Sequence, residues 1–271
     1  MGAFRPSPNT ETIMATAPAN LPLFYNNLEP LSSSVHGSFR LRPNDTAPFL
    51  AKSHAVPLTS DEFIVAQRFY PIVFSVGDAP VPLALMGLNE GVNVFLDEDG
   101  RPNREVYIPA YVRRYPFMLA RLKPESEELS LCFDSTSPVV GDFAEGEALF
   151  DDAKPSQTTN DILKFCEEFE LSAQRTNAFM KELADLDLLI DGEVSIQPND
   201  ADQPFVYRGF RMVAEDKLRD LRGDTLRKIN QNGILPLLVA HLFSLQLIRD
   251  VFARQIQMGK MPERTPEPLQ A

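Results

Sequence analysis

The spacing of apolar residues changes once along the chain, near residue 151, and this change constrains the fold more than any other feature of the sequence. Before that point, apolar runs such as 72–76 and 129–134 have the length of strands and are bounded by turns rich in Pro, Gly and Asp. After it, apolar side chains recur about every 3.6 residues, the period of a helix, in segments such as 159–169 and 173–186. The sequence therefore predicts an α+β fold in which a strand-rich N-terminal half packs with a helical C-terminal half.

The same pattern divides the chain into segments. We expect residues 20–150 to form the strand-rich part, as a mostly antiparallel sheet or a partly open barrel, and residues 151–258 to form the mainly helical part. The polar, proline-containing segments 1–19 and 259–271 predict a disordered lead-in and a flexible tail. No clean linker stands near residues 151–158, so we expect the two parts to form one interlocked unit.

Local signals predict where individual helices begin and end. Thr59 and Glu62 have the spacing of a capping box, which predicts the start of a helix. This helix should end near Tyr70, because Pro71 disfavours a helical conformation in the residue before it. In the second half, we expect Thr159 to cap the first of two helices.

The charge balance and the cysteines limit the class of protein. The chain has 26 basic and 38 acidic residues, a net charge of −12, so phosphate backbones and anionic membranes repel it. We therefore expect a soluble protein without a nucleic-acid partner. Cys132 and Cys166 are too few for a disulfide framework, and their apolar neighbours predict buried free thiols. The N-terminal residues lack the apolar core of a signal peptide, so we expect a cytoplasmic protein.

The segment 234–257 predicts the longest helix of the chain. Its nearly unbroken apolar run, 234–248, has roughly 15 residues, fewer than the roughly 20 that span a membrane, so we expect no membrane insertion. Two interpretations remain open: a helix buried on most sides by the rest of the fold, or an interface for a second copy of the chain or another partner. His241 in this run is expected to be a core histidine with one hydrogen-bond partner.

Motifs for common chemistry are missing from the sequence. The chain has no Gly-x-Gly-x-x-Gly segment or P-loop to hold a nucleotide, and no Gly-x-Ser-x-Gly elbow for a hydrolytic serine. The acidic turn 97–100 resembles a calcium loop, but two positions that should supply ligands are apolar. His36 and His54 could join Asp45 or Asp61 around a metal ion, although their spacing carries no metal signature. We predict no catalytic residue, no cofactor and no metal site.

The stretch 106–117 is the most unusual part of the chain, because it combines tyrosines and arginines with two prolines. Alternate residues of a strand face the same side. A strand over 106–112 and its continuation would therefore leave Arg114 on one face and place on the other Tyr107, Tyr111, Arg113, Tyr115 and Phe117. Aromatic rings beside a guanidinium can bind a carboxylate or stack on a planar group. Alternatively, an arginine pairs with an internal carboxylate and the rings fill the seam between sheet and helices.

This stretch, together with shorter segments, resembles the bacterial SapC family. The run Tyr-Ile-Pro-Ala-Tyr-Val-Arg-Arg-Tyr-Pro-Phe at 107–117 is the most specific part of the resemblance. The resemblance covers residues 20–255 and includes the segments 23–31, 54–58, 62–63, 70–74, 87–88, 93–97, 149–150, 209–210 and 240–245, as well as His36. The family commonly carries a tryptophan shortly after the Asp-Gly turn, and this chain has Arg-Pro-Asn there, at 101–103.

What the resemblance implies about function is limited. The family name is tied to bacterial surface layers, and some members carry transporter-like labels, but neither a spanning segment nor a signal is predicted for this chain. Relatives lie beside flavin-dependent tryptophan-halogenase-like proteins, cupin-like oxygenase-like proteins and outer-membrane TonB-dependent receptors. The family offers no catalytic residues to carry over to this sequence.

We therefore expect a SapC-like, soluble accessory or binding protein that recognises a peptide or protein partner, with a link to the halogenase-like or oxygenase-like enzymes. Its candidate binding residues are Tyr107, Tyr111, Arg113, Arg114, Tyr115, His36, His54 and Glu62. One alternative is an enzyme that modifies a peptide or an amino acid and gathers His36, His54 or Glu62 near Arg113. Another alternative is a structural protein of the surface layer, which predicts self-assembly and export.

Overall fold

The computed structural model describes residues 21–97, 99–102, 105–122, 128–197 and 203–261. The lead-in predicted at 1–19, and all of the predicted tail except residues 259–261, lie outside this part of the chain. Within it the fold is α+β, as the sequence predicts, with antiparallel sheets mostly in the N-terminal half and helices mostly in the C-terminal half. The described strands form open sheets and no closed barrel.

The strands in chain order are β1 (Leu28–Pro30), β2 (Arg40–Leu41), β3 (Ala55–Pro57), β4 (Ile72–Phe74), β5 (Pro82–Leu85), β6 (Phe117–Arg121), β7 (Leu129–Asp134), β8 (Val140–Gly141), β9 (Glu147–Ala148), β10 (Phe150–Asp151), β11 (Lys154–Pro155), β12 (Leu189–Ile196) and β13 (Phe205–Val213). The α-helices are α1 (Ser33–His36), α2 (Phe63–Ala66), α3 (Ala110–Arg113), α4 (Gln157–Asp185), α5 (Glu215–Arg219), α6 (Gly223–Gln231), α7 (Ile234–Ser244) and α8 (Ile248–Gln257). Short 3-10 turns cover Pro48–Leu50, Ser60–Glu62 and Leu245–Leu247.

The largest sheet combines strands from both halves of the sequence, in the antiparallel order β12-β13-β4-β5-β3. Helix α7 packs against β4 and β13, and the His241 ring is fully buried there. The ring accepts the Val213 N–H through Nε2 at 3.0 Å, and its Nδ1 lies 2.8 Å from the Ile72 carbonyl oxygen. His241 is therefore a core histidine with two hydrogen-bond partners, and the prediction of a single partner is wrong.

The main hydrophobic core also draws on both halves. Phe179 of α4 meets Phe63 of α2 with ring centroids 5.6 Å apart, and the same core extends from Leu50 to Phe252. A second, smaller core lies beside the sheet β1-β7-β6 and contains Phe117, Leu119, Phe133, Val140, Leu149 and Cys166. The division predicted near residue 151, and the joining of the two parts into one unit, stay predictions.

Helix α4 runs unbroken for 29 residues, whereas the sequence predicts two helices over 159–169 and 173–186. The intervening residues 170–172 include no proline or glycine, so nothing stops the helix once it has started. Its N-cap is Ser156, whose Oγ accepts the Thr159 N–H at 3.2 Å. The prediction that Thr159 is the cap is therefore wrong by one turn.

The segment 234–257 is bent into α7 and α8 by the intervening 3-10 turn, and α4 is longer than either helix. Taken as one piece of 24 residues, the segment has the length of a candidate membrane span, and an 18-residue window within it has a mean hydropathy of 1.5. Two of its polar side chains nevertheless bond to backbone groups in the first half of the chain. Ser244 Oγ accepts the Ile72 N–H at 2.8 Å, and Gln255 Oε1 accepts the Leu88 N–H at 2.9 Å. The predicted absence of membrane insertion and the interface for a second copy stay predictions.

The segment 106–112, which the sequence predicts as a strand, is not a strand in the structure. Residues 105–109 pair with no neighbouring strand, and α3 begins directly after Pro109. The Pro109 carbonyl oxygen accepts the N–H groups of Val112 and Arg113 at 2.9 and 3.0 Å. Proline has no N–H for a ladder and is tolerated at the start of a helix, so it overrides the alternating pattern. The shared face predicted for Tyr107, Tyr111, Arg113, Tyr115 and Phe117, with Arg114 opposite, is therefore wrong.

Candidate functional site

Two cavities border α3. The smaller one, which we call the Glu62 pocket, has a volume of about 250 Å³ and is lined by Thr59, Asp61, Glu62, Val65, Tyr107, Ala110, Arg113, Phe165, Glu168, Phe169 and Ser172. The larger one, which we call the groove, has a volume of about 780 Å³. Its walls include residues 41–50, residues 112–117, the loop 137–139 and one face of α4 with Thr158, Asp161, Ile162, Phe165 and Cys166.

Glu62 lines the Glu62 pocket and is only 5% exposed. Its Oε2 accepts the Thr59 N–H at 2.9 Å and the Thr59 hydroxyl at 2.8 Å. Its Oε1 accepts the Tyr107 hydroxyl at 2.9 Å and the Ala110 N–H at 2.7 Å. Burial, followed by the nearby Glu62 carboxylate, raises the pKa of Tyr107 to about 12, so the phenol stays protonated and donates at neutral pH. The carboxylate thus holds the start of α2 and the start of α3 together.

Arg113 is exposed and lies between the two cavities, because it lines both. Its Nε donates to the Ile108 carbonyl oxygen at 3.1 Å, and its Nη2 donates to the Tyr107 hydroxyl at 3.2 Å. The guanidinium also lies 5.1 Å from the centre of the Phe165 ring. These contacts bring Glu62, Tyr107 and Arg113 together, although the strand predicted for this region does not form.

Arg114 is buried, unlike its neighbour, and is only 6% exposed. Its guanidinium lies 4.2 Å from the centre of the Phe169 ring and 4.6 Å from that of Tyr111. Its Nη1 is 3.6 Å from Glu170 Oε1, and burial raises the pKa of Glu170 while Arg114 lowers it. Its Nε has no hydrogen-bond partner among the described residues. Arg114 is therefore a buried cation with one N–H group left unpaired.

Tyr115 connects this region to the sheet β1-β7-β6. Its hydroxyl donates to Asp134 Oδ2 at 3.3 Å, and its ring centre is 4.3 Å from that of Phe49. Burial acts to raise the pKa of Asp134, but hydrogen bonds from Thr136 and from the backbone N–H of Asn26 hold it below its usual value. Asp134 is therefore an ionised anchor for Tyr115.

The interior of the groove is mainly apolar. Ser137 borders it and is 4% exposed, and its Oγ lies beside the Tyr115 phenol without a hydrogen bond of normal geometry among the described residues. Burial raises the pKa of the Cys166 thiol to about 11, so this group is neutral at physiological pH. Apolar walls with a few oriented polar groups are typical of cavities that bind small organic groups or peptide side chains.

The two histidines among the predicted binding residues, His36 and His54, form their hydrogen bonds with other parts of the protein. His36 accepts the Ser32 N–H through Nδ1 at 3.1 Å, and its ring packs edge-on against Phe133 at 5.1 Å. Burial lowers the pKa of His36. The His54 carbonyl accepts backbone N–H groups of the segment 86–87. In the part of the chain that the structure describes, no hydrogen bond or ion pair joins either histidine to Glu62 or Arg113, and no group of three His, Cys, Asp or Glu side chains is placed to hold a metal ion.

The sequence identifies Arg113, Arg114 and Tyr115 but not the residues that complete the groove. Ser137 carries no sequence signal at all, because it becomes part of the site only when its loop approaches Tyr115. Ile162, Phe165 and Cys166 have the spacing of one helix face, and that face could have been predicted to cover a neighbouring element.

The family of the protein follows from a comparison of sequences. A family model described as SapC matches residues 31–251, which is most of the chain. The chain therefore belongs to the SapC family, and the resemblance carried by residues 107–117 is confirmed. No curated protein and no solved structure matches the chain.

Proposed function

We propose that this SapC-family protein is a soluble accessory protein that binds a peptide or protein partner in the groove. The observation that carries the proposal is the groove of about 780 Å³, whose lining is mainly apolar and includes the buried Arg114. An apolar wall supplies affinity through burial of the partner's side chains, and a buried charged group supplies orientation.

An aromatic cluster on one wall supports the same proposal. The ring centres of Phe49 and Tyr115 lie 4.3 Å apart, and Phe24 packs edge-on against Phe49 at 5.0 Å. Rings that are already packed lose little freedom when a partner binds. Aromatic and arginine residues also dominate the binding energy of many protein interfaces. The wall therefore has the composition and the order that a peptide-binding surface needs.

The kind of partner and its compartment belong to the same proposal. The net charge of −12 speaks against nucleic acid, so the partner is a peptide or a protein. Cys132 and Cys166 are both buried and free, which suits the reducing cytoplasm. The family resemblance makes halogenase-like or oxygenase-like enzymes, or their peptide substrates, the first partners to test.

A selection of displayed random peptides against the folded protein tests this proposal. Selected peptides are synthesised, and their Kd values are measured by fluorescence anisotropy with the wild-type protein and with Ile162→Arg. Ile162 is a groove residue on α4, so a long charged side chain there occupies the space of a partner. We expect the variant to bind at least about tenfold more weakly, because it places a charge against an apolar partner.

Leu171→Arg is the matched control. Leu171 is on the same helix, is 52% exposed, and does not line the groove. This variant should keep the wild-type affinity, and circular dichroism should show that both variants fold. If no peptide is selected, or if Ile162→Arg binds as tightly as Leu171→Arg, the proposal is wrong.

A further inference from the structure

We infer that the groove selects peptides that carry a basic residue at one end of a short apolar segment and an acidic residue at the other end. This inference rests on the proposed function and adds the charge pattern of the peptide. It follows from the order of charged and apolar side chains along α4, which forms one wall of the groove.

The N-terminal end of the α4 wall is acidic. Glu147 Oε2 accepts the Thr158 hydroxyl at 2.8 Å, which holds this carboxylate against the first turn of the helix. Asp161 follows Thr158 by three residues, so the two are neighbours on the helix surface. Asp161 Oδ1 accepts the side-chain amide of Gln157 at 2.9 Å. Both acids line the groove and are exposed, so a ligand can reach both carboxylates.

Neither carboxylate forms an ion pair in the part of the chain that the structure describes. Two cations that are close to this end in the sequence or the fold have other contacts. Lys164 Nζ is 4.0 Å from Glu168 Oε1, and the guanidinium of Arg42 lies 3.6 Å from the centre of the Phe143 ring. Neighbouring carboxylates repel each other, and a basic side chain of a ligand between them would remove that repulsion.

The other end of the same wall is basic. Beyond the acids, the apolar side chain of Ile162 lines the groove, and Phe165 follows it. The guanidinium of Arg113 lies 5.1 Å from the centre of the Phe165 ring. Arg113 is exposed, its printed hydrogen bonds go to the uncharged Ile108 carbonyl and Tyr107 hydroxyl, and it forms no ion pair among the described residues. It is therefore a cation that an acidic side chain of a ligand can reach.

The distance between the two ends sets the spacing of the charges in the ligand. Thr158 and Phe165 are separated by about 10 Å along the helix axis, at 1.5 Å per residue. In an extended peptide, residues four positions apart face the same side and lie roughly 13 Å apart, and long side chains cover the difference. The residue halfway between them faces the same side, so it would lie against Ile162.

The groove as a whole has no excess of either charge. Its lining includes three acids and three arginines, namely Asp45, Glu147, Asp161, Arg42, Arg113 and Arg114. A peptide with the same charge at both ends would therefore gain at one end of the α4 wall and lose at the other. A peptide with both charges in the right order gains at both ends. Charges at the edge of an interface mainly set specificity and orientation, while the apolar middle supplies affinity.

Nuclear magnetic resonance titrations with short peptides test this inference. The ¹⁵N-labelled protein is titrated with four capped peptides that share a Leu-Phe-Leu core. Two of them carry one Lys and one Glu at the ends, in either order, and the other two carry Lys at both ends or Glu at both ends. We expect one of the mixed peptides to bind about fivefold more tightly than either uniform peptide, because each exposed ion pair adds a small favourable energy.

The net charge of the protein cannot produce this preference. The mixed peptides have no net charge, whereas the overall charge of −12 favours the peptide with Lys at both ends. Added salt should reduce the preference for the mixed peptide, because salt screens exposed charges.

Reversing the charge at one end should change which peptide binds best. The double variant Glu147→Gln, Asp161→Lys makes the acidic end basic, so the peptide with Glu at both ends should bind most tightly. Arg113→Glu makes the basic end acidic, so the peptide with Lys at both ends should bind most tightly. The control is the double variant Glu167→Lys, Asp191→Asn, which changes the net charge equally at exposed residues outside the groove. It should keep the wild-type order.

The outcomes separate this inference from the proposed function. Equal affinities for the four peptides, tightest binding of a uniform peptide, or no binding of any of them would overturn the inference. So would a wild-type order that survives reversal of the acidic end, a test that holds even if Arg113→Glu does not fold. Displayed peptides that need Ile162 but carry no charge pattern would keep peptide binding and reject the charge order. The proposed function fails in a different experiment, when Ile162→Arg leaves the affinity of selected peptides unchanged.

Discussion

The two cavities beside α3 differ in how completely their buried charged groups are hydrogen-bonded. In the Glu62 pocket, the Glu62 carboxylate accepts four hydrogen bonds, from Thr59, Tyr107 and Ala110. On the groove wall, Arg114 is as deeply buried, but its Nε–H has no acceptor among the described residues. A fully bonded buried charge fixes the surrounding structure, whereas an incompletely bonded one costs stability until a ligand completes it. Helix α3 therefore begins at a fully bonded carboxylate and ends at an incompletely bonded guanidinium.

The largest expected effect is a loss of stability when the fully bonded carboxylate of the Glu62 pocket is removed. Glu62→Ala should lower the free energy of unfolding by about 4 kcal/mol, because it leaves the N–H groups of Thr59 and Ala110 and the Tyr107 hydroxyl without an acceptor. Urea denaturation followed by circular dichroism measures this change. Glu168→Ala is the control, since Glu168 lines the same pocket but is exposed, and it should change stability by less than about 0.5 kcal/mol. Similar losses in the two variants would contradict the structural role of Glu62.

His241, like Glu62, is a buried side chain whose polar atoms are all hydrogen-bonded, and its charge can change with pH. Burial lowers the pKa of His241 to about 4 from a usual value of 6.5. Between these two values the unfolded chain binds more protons than the folded one, so stability is fully present above pH 6.5 and is lost as the pH falls toward 4. The expected loss is about 3 kcal/mol, and urea denaturation at several pH values measures it.

His241→Gln is the variant that isolates this effect. It should remove most of the pH dependence between pH 6.5 and 4, while His36, whose pKa is also lowered, keeps a smaller slope of the same sign. Glu170 acts in the opposite direction, because its folded pKa is raised. The same pH dependence in the wild-type protein and in His241→Gln would show that His241 is not buried as a neutral ring.

Arg114→Met tests how much the incompletely bonded Arg114 contributes to the stability of the fold. We expect stability to change by less than about 1 kcal/mol when Glu170→Gln accompanies this variant, because the pair of substitutions removes the ion pair as a whole together with the unpaired Nε–H. A loss of stability as large as that of Glu62→Ala would mean that Arg114 mainly holds the fold, and the contrast between the cavities would fail.

Ser137→Ala is expected to have the smallest effect. Stability should rise by about 0.5 kcal/mol, because the variant removes a buried hydroxyl that has no hydrogen bond in the described part of the chain. Ser244→Ala is the matched control, since its hydroxyl accepts the Ile72 N–H and donates to the His241 carbonyl oxygen. That variant should lose about 2 kcal/mol in thermal or urea unfolding. If both serines respond alike, the difference in their bonding has no energetic consequence.

Local signals in the sequence predict parts of the fold well. The Thr59 N–H does bond to Glu62, as the spacing of a capping box predicts, and β7 covers the predicted residues 129–134. The strand predicted over 106–112 is wrong because Pro109 interrupts the alternating pattern and starts α3. The contact that then anchors α3 is not visible in the local pattern, because the Ala110 N–H donates to Glu62, 48 positions away in the sequence.

In the candidate site, the sequence identifies some of the residues but does not predict their roles. Arg114 and Tyr115 are identifiable in sequence because they stand in an unusual run of aromatic and basic residues. Their roles are not identifiable, since Arg114 is buried by Phe169 and Glu170 of α4, which is distant in the chain. Ser137 could not be predicted at all, because only the tertiary structure brings its loop to the groove.

Helix α4 spans both cores of the molecule. Its N-terminal half lines the groove through Ile162 and Phe165, and its C-terminal half fills the main core with Phe179 and Leu183. At 29 residues and 1.5 Å per residue, the helix is about 44 Å long. A close-packed interior does not absorb displacement locally. The helix is therefore a continuous rod with one end at the groove and the other in the main core, so a displacement of the groove wall cannot be confined to that end of the helix.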